Sequence, residues 1–317
     1  MKLFELGGRD SQNTNANDVL RNEVIQNMRL ATQLFEVAEF YTHAGNADKP
    51  RKAATETGGA QRQINSPYVG NTGAPSYGDV ALKIYGDELK TDVAYERRGI
   101  DIDSERVREL RSFAKALGRH IMNHFVNGVS ADATQIVGLK ERITGSQLVS
   151  LEGAGNGYQV LFGSDNTAKK SQQAFLRAID ELIARSGAQA LFLDAKTIAY
   201  IKAIGREYVS VSSIEGIFSL PVERYNNVLL VNAGYAKDGV TNVIAHNETL
   251  GTSNDCTSIY AVKFGEKEDT TFATNVGVQV IDKGVVGSQY VTMVDFDIDL
   301  AVLNPWSAMR LQGIRLA

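Results

Sequence analysis

Two histidines one helical turn apart, His120 and His124, are the residues whose spacing comes nearest to doing chemistry. Such a pair can hold a divalent metal. A metalloprotease also needs a glutamate directly after the first histidine. The run here is His-Ile-Met-Asn-His, and His124 falls on an apolar helical stripe, so a buried or interfacial pair is the favoured reading. His43 and His246 fall in expected loops with no nucleophile beside them. The lone thiol, Cys256 in GTSNDCTS, has no neighbouring histidine to take its proton. Asp295, Asp297 and Asp299 share one face of an expected strand and could hold a cation, although alternate carboxylates turned to solvent are the simpler outcome. Gly153, Gly155 and Gly157 in EGAGNGYQV are spaced Gly-x-Gly-x-Gly, without the extra residue of a dinucleotide fingerprint, and read as a flexible turn. No Ser-His-Asp order, Walker loop or acid pair can be assembled. The expectation is a protein that is not an enzyme, with no catalytic residue, no metal and no cofactor.

The elements that carry these residues are more informative than the residues. Ile102 to Asn127 reads as one amphipathic helix, a spine, with Val107, Leu110, Ala114, Leu117, Ile121 and His124 on one face. Asp103 is its expected N-cap, Ile102 and Val107 a hydrophobic staple, and Gly128 its C-cap glycine. At roughly 24 residues it would span about 36 Å, twice the usual helix. Gly118 interrupts it, at about 0.5–1 kcal/mol relative to alanine. Close packing against a sheet or a bend point would each account for a glycine there.

Around the spine the chain changes character several times. Residues 1–17 are polar and read as an arm. Asp18 can cap a helix with Leu20, Val24, Met28, Ala31, Phe35 and Ala38 as its stripe, ending near Tyr41. Residues 42–79 carry almost no large aliphatic side chain, which is rare inside a compact chain, so this segment is disordered or ordered by a partner. Val80, Leu82 and Ile84 alternate, as do Leu89, Thr91, Val93 and Tyr95, giving a half-buried strand with an irregularity at Gly86-Asp87. Its expected antiparallel partner lies around Gln61 and Gln63. An isolated two-stranded ribbon is marginal in water, so Val80, Leu82, Ile84, Leu89, Val93 and Tyr95 are the candidate assembly residues, covered by another subunit. Residues 136–267 alternate helices and strands: Thr167–Ser186 stopped by Gly187, a strand Ala190–Leu193, a helix capped by Asp194, and strands at Ile217–Leu220, Val228–Asn232 and Ile259–Phe264. Val276–Ile281 and Tyr290–Leu303 are long β runs near the end, broken by Asn304-Pro305. They need a helix to cover them, and the spine is the spare one.

Bulk composition narrows the classes. The 317 residues are 43% hydrophobic and 22% charged, enough for one large or two modest cores. A net charge of −4 provides no global field for nucleic acid. One cysteine excludes an intrachain disulfide and fits a reducing compartment. Five prolines argue against a proline-rich linker. No signal peptide or transmembrane run is visible, so no membrane partner is expected.

This order of parts resembles the major capsid protein of tailed bacteriophages, the Hong Kong 97-type fold. The closest wording is TDVAYERRGIDIDSERV at the spine entry and VDFDIDLAVLNPWSAMRLQGI at the end. The resemblance covers nearly the whole chain, by architecture more than by invariant motifs. It implies an α+β fold with an N-arm (1–42), an extended β-hairpin or E-loop (43–98), a P-domain of spine helix and long-stranded sheet (99–135 and 268–317) and an inserted α/β A-domain (136–267), with the extreme C-terminus able to return to the A-domain. It implies self-assembly as hexamers and pentamers into an icosahedral shell around double-stranded DNA, bound without sequence preference. The virion is the implied location, after assembly in the host cytoplasm. Because the arm begins within about 20 residues of Met1, the resemblance implies either a separate scaffolding protein or a chain already trimmed, and the further partners would be a portal and decoration proteins. Spine helices of this family bend in immature shells, which gives the Gly118 bend its interest. Lys83 and Lys90 lie on the hairpin, but nothing marks a cross-linking partner. The alternatives are an encapsulin-type nanocompartment shell, and an α/β enzyme built on 136–267.

Overall fold

The structure, a computed structural model, describes residues 1–3, 16–52, 61–68, 76–153, 155–208, 212–215 and 221–316. The spine helix runs unbroken over Ile102–Asn127. Its N-cap is Asp101, not Asp103: the Asp101 carboxylate accepts the Asp103 N–H at 3.3 Å and the Ser104 hydroxyl at 2.6 Å. Asp103 sits instead in the first turn, where a carboxylate suits the positive end of the helix dipole. Gly128 ends the helix by donating to the His124 carbonyl at 2.9 Å. Its φ of −58° is not left-handed. Glycine is required there by crowding, because a Cβ would stand 2.0 Å from the Ile136 carbonyl oxygen.

The expected first helix is shorter than its apolar stripe. A helix Ala16–Ala31 is followed by a single turn, Leu34–Val37, and then by a strand, Phe40–Thr42. The stripe therefore serves three elements, and all of Val24, Met28, Phe35, Ala38, Phe40 and Tyr41 are buried. The N-terminus is tucked in as well. Leu3 is fully buried, Met1 O accepts the Phe40 N–H at 2.7 Å, and the Met1 amine meets Glu266 at 3.1 Å. These first residues thus pack on the body, where the sequence suggested an arm; the rest of that arm, residues 4–15, lies outside the described residues.

Two sheets share the spine. The five-stranded sheet is built on Gln289–Val302, which pairs antiparallel with Val278–Val286 and Thr270–Thr274 on one side. On the other it pairs with Lys83–Asp92 over ten residue pairs, Gln289↔Asp92 to Ile298↔Lys83. Phe40–Thr42 adds a parallel strand beside Thr270–Thr274. The inner face carries Val294, Phe296, Ile298 and Leu300, packed with Leu110, Ala114, Leu117 and Ile121 of the spine and with Val24 and Met28 of the first helix in one core. The covering layer is therefore two helices, where the sequence suggested one.

The ten-stranded sheet runs, in spatial order, Glu152–Gly153, Asn156–Val160, Ala308–Leu316, Ser253–Val262, Ala190–Leu193, Val228–Asn232, Pro221–Tyr225 and Ser212–Glu215, with Glu248–Leu250 and Leu148–Ser150 on side branches. The chain's last strand sits between Asn156–Val160 and Ser253–Val262. One face of this sheet is covered by the helices Asn166–Ser186 and Ala195–Tyr208 through Phe175, Ile179, Leu182, Ile201 and Ile204. The other face joins the spine core through an edge-on ring pair, Phe125–Phe192 at 5.1 Å, and Phe125 also lies tilted against Phe272 of the five-stranded sheet at 5.6 Å. Gly187 ends its helix in the left-handed region at φ +60°, and Asp194 accepts the Lys196 and Thr197 N–H groups. The strand expected at Ile217–Leu220 lies outside the described residues.

Gly118 faces the first helix and not the closing sheet. A Cβ there would meet the Met28 carbonyl oxygen at 2.9 Å and Met28 Cα at 3.3 Å, so the two helix backbones approach directly. Alanine would gain about 1 kcal/mol of helix propensity but must push backbone away. Overpacking of this kind costs about 1–3 kcal/mol. Gly118→Ala is therefore expected to lower stability in denaturant unfolding, and Gly118→Leu to lower it further. A stabilised Gly118→Ala protein would show that the helices separate freely.

Candidate assembly surfaces

The extended arm starts as a short ribbon that the sequence misassigned. Val80–Ala81 pairs with Ala47–Asp48, not with the Gln61–Gln63 region. The ribbon continues outward through Lys52 N–H to Ser76 O at 2.8 Å, Gly78 N–H to Pro50 O at 2.8 Å, and a bridge between Arg51 and Tyr77. The long strand that follows turns back into the chain's own five-stranded sheet. Its pairing register is continuous through Gly86-Asp87. Glycine is needed because a Cβ at Gly86 would stand 2.1 Å from the Val294 carbonyl oxygen.

This pairing redistributes the six candidate assembly residues. Val80 and Leu82 are buried in a small cluster with Tyr41, Ala273, Ala301 and Leu303 of the same chain. Leu89 packs on the main core, and Val93 is half-buried. Only Ile84, 71% exposed, and Tyr95, 40% exposed, remain open to a partner. The alternation of Val80, Leu82 and Ile84 misleads because the inward phase shifts between Leu82 and Tyr85. Tyr85 is buried and Ile84 faces out.

The apolar surface that sequence reasoning missed lies farther out. Ile64 is 91% exposed and Tyr68 64% exposed beyond the ribbon. The Arg62 guanidinium stands 5.1 Å from the Tyr68 ring centroid. The isolated Ile64 within a polar stretch was the one available signal. At the other end of the molecule, a groove of about 390 Å³ opens between the first helix and the spine, lined by Val19, Leu20, Val107 and Leu110. Its rim carries Asp103, Thr292 and the Arg106–Asp282 ion pair at 2.7 Å. Val285 and Val286 are also exposed, at the tip of the hairpin that closes the five-stranded sheet.

The residues singled out for chemistry are dispersed. Among the described residues no three histidine, cysteine or acidic side chains gather to hold a metal ion. His124 Nδ1 is 2.8 Å from the Tyr85 hydroxyl. The three aspartates share a face but not a fate, correcting the solvent-facing expectation. Asp299 is buried and accepts the Ala81 N–H at 3.0 Å, its carboxyl pushed up by burial. Asp297 accepts from Asn275 Nδ2 at 2.6 Å, and Asp295 is half-buried beside Gly86. In EGAGNGYQV, Gly155 makes the left-handed hairpin turn at φ +77°, while Gly157 lets Cys256 Sγ lie where a Cβ would collide. Burial raises the Cys256 thiol, with Asp255 adding to it. His246 Nε2 meets Asp194 Oδ2 at 2.7 Å, which anchors a loop to the cap of helix Ala195–Tyr208.

A buried ionic cluster ties the last strand in place. Glu248 bonds Arg310 at 2.8 Å and Lys140 at 3.1 Å, and accepts from the Ser258 hydroxyl. Burial alone would raise the Glu248 carboxyl, but Arg310, Ser258 and Lys140 hold it below the ordinary range. Removing one partner of a buried pair leaves an uncompensated charge and costs about 3–5 kcal/mol. Glu248→Gln is expected to lose about 3 kcal/mol in denaturant unfolding. The double variant Glu248→Leu, Arg310→Met should recover most of that loss. A single variant as stable as the parent would show the cluster to be neutral.

No protein-family model matches the chain, and no curated protein matches its sequence. Solved structures do match. The encapsulin in a holo-encapsulin complex from Synechococcus elongatus has a TM-score of 0.60 at 14% identity, covering 89% of this chain and 87% of that one. The capsid of a native GTA particle has a TM-score of 0.59 at 12% identity, covering 90% of each chain. The head structure of Helicobacter pylori bacteriophage KHP40 has a TM-score of 0.55 at 11% identity, covering 91% of each. The chain has the Hong Kong 97-type fold that these capsid and encapsulin proteins share. It is a mixed α+β architecture.

Proposed function

We propose that this protein is a structural shell subunit that self-assembles into the icosahedral capsid enclosing the double-stranded DNA of a tailed phage. The observation that carries this reading is the likeness in fold, over about nine-tenths of the chain, to proteins that build capsids. Phage capsids outnumber encapsulins among those neighbours. The physical work of such a protein is done by interfaces. Each copy offers an arm with Ile64 and Tyr68 uncovered at one end and an apolar groove beside the spine at the other. Contacts between unlike patches are heterologous, and only closed symmetry keeps them from running on into fibres. Obligate interfaces of this kind bury about 2,000 Å² upward. Within this reading residues 1–42, 43–98, 99–135 with 268–317, and 136–267 act as N-arm, E-loop, P-domain and A-domain. The partners are other copies in hexamers and pentamers, a separate scaffolding protein, a portal and decoration proteins. A procapsid that includes a size-determination protein is among the fold neighbours, with a TM-score of 0.50. The DNA inside is contacted without sequence preference, in keeping with a net charge of −4. Assembly takes place in the host cytoplasm and the protein's place is the virion. No catalytic role is assigned.

A second reading has two observations in its favour. The helix Ala16–Ala31 packs along the spine, and an encapsulin is among the fold neighbours. In that case the shell would enclose a protein cargo.

Negative-stain microscopy of the expressed protein separates these readings from an enzyme. Closed hollow particles are expected, and a monomer at every salt concentration would overturn both shell readings. Particles recovered from the native source that contain DNA and no protein cargo support the capsid; a packaged enzyme supports the nanocompartment. The arm is tested separately. Ile64→Asp with Tyr68→Asp should abolish particles while circular dichroism and the thermal transition of the subunit stay unchanged, and normal particles would remove the arm from assembly.

A further inference from the structure

The two histidines one helical turn apart on the spine sit at a mechanical junction. The His120 and His124 rings, tilted at 55° to each other, have centroids 4.1 Å apart on the C-terminal half of the spine. The Tyr85 ring stands edge-on to both, at 5.8 and 5.7 Å. Its hydroxyl lies 2.8 Å from His124 Nδ1 and accepts the Ile136 N–H at 3.1 Å. One phenol thus links the spine, the strand Lys83–Asp92 and the loop that follows the spine. The rings border a cavity of about 340 Å³ that Lys237 also lines. Lys237 belongs to the segment that carries Val243, whose carbonyl accepts from Asn127 of the spine at 2.7 Å. Segments tied to both sheets therefore converge on this pair.

The hydrogen-bond pattern makes the junction sensitive to protons. With His124 neutral, the Tyr85 O–H donates to Nδ1 and its oxygen accepts from Ile136, so the phenol, Nδ1 and the Ile136 N–H are all paired. With His124 protonated, Nδ1 becomes a donor. The phenol proton then loses its acceptor, and leaving a buried donor unpaired costs free energy. A second proton on His120 would lie against the first, with the ring centroids only 4.1 Å apart. The charged groups facing the pair are Lys237 from the 234–243 segment, Asp87 from the strand and Asp132 from the loop after the spine. Arg119 of the spine reaches the same segment at Gly239. Lys237 opposes a positive pair, and Asp132 favours it.

We propose that His120, His124 and Tyr85 form a proton-operated joint, whose protonation frees strand Lys83–Asp92 and the Ile136 loop from the spine helix. The assignment rests on the fold alone and does not require the shell reading. Burial, followed by the charge of His120, pushes His124 down to about 4 from an ordinary value of 6.5, and burial and Lys237 push His120 down. A depressed histidine contributes stability that is complete above the unfolded value of 6.5 and is lost as pH falls toward 4. The window of action is therefore between those values.

Amide hydrogen exchange on the full chain, corrected for intrinsic rates, tests the joint at pH 7.5 and 4.5. Peptides spanning 84–88 and 134–138 should exchange at least about tenfold faster at the lower pH, while the strand Ala190–Leu193 stays protected. The His120→Gln, His124→Gln double variant should lose that response. If that variant does not fold, Tyr85→Phe serves: it should exchange faster at pH 7.5 already, with a smaller further rise. A wild-type protein whose two peptides are unchanged between the pH values overturns the proposal. So does a double variant that responds like wild type, or a Tyr85→Phe protein that matches wild type at both pH values.

Discussion

Burial of one face of the strand Gln289–Val302 is the constraint on which the remaining structure depends. Val294, Phe296, Ile298 and Leu300 point the same way and are essentially inaccessible. Each such side chain contributes roughly 1.5–3 kcal/mol when buried, but only if a cover of matching length lies over it. A fourteen-residue strand needs a long helix, and the 26-residue spine provides one. The spine alone is too narrow for the sheet. The first helix lies beside it, and Gly118 lets the Met28 backbone come close enough for the pair to act as one layer. Length of strand, length of helix and the mid-helix glycine are thus consequences of a single surface that has to be covered.

The same constraint explains what was legible in the sequence. Periodicity records which face of an element is buried, so the spine, the strands Ala190–Leu193 and Val228–Asn232 and the final β runs could be read from apolar spacing. Pairing is set by the partner, and a half-buried strand does not name its partner. The strand Lys83–Asp92 was recognisable as a strand, yet its ladder is to residues about 200 positions later and not to the neighbouring arm. The shift of phase between Leu82 and Tyr85 comes where the chain passes from the arm ribbon into the sheet, and alternation read across that point assigns Ile84 to the wrong face. Caps show the same limit. Asp101 and Asp103 are both plausible by residue type, and only the backbone geometry selects Asp101.

Polar side chains complete what apolar burial begins. Asp299 holds the Ala81 N–H where the arm joins the sheet, and the Glu248–Arg310–Lys140 cluster fastens the last strand beside Ser253–Val262. Neither was legible, because three aspartates at alternate positions look alike until one of them is carried inside. The acidic and basic groups that fall inside are spent on junctions between elements, with His246 on Asp194 a further instance.

A fold held together in this way leaves its sequence free to drift. What the architecture demands is an apolar inner face of the right period, a helix pair of sufficient length and a few glycines where backbones touch. Many residues satisfy each demand, and cores tolerate hydrophobic exchange when volume and pattern are kept. That accounts for neighbours at 11–14% identity that still share about nine-tenths of the chain in three dimensions, while no family model recognises it. It also shifts where function must be sought. Residues that answer only to the internal core are interchangeable. The solvent-facing Ile64 and Tyr68 and the groove beside the spine are apolar surface outside the described core, and in the shell reading proposed above it is other copies of the chain that cover them.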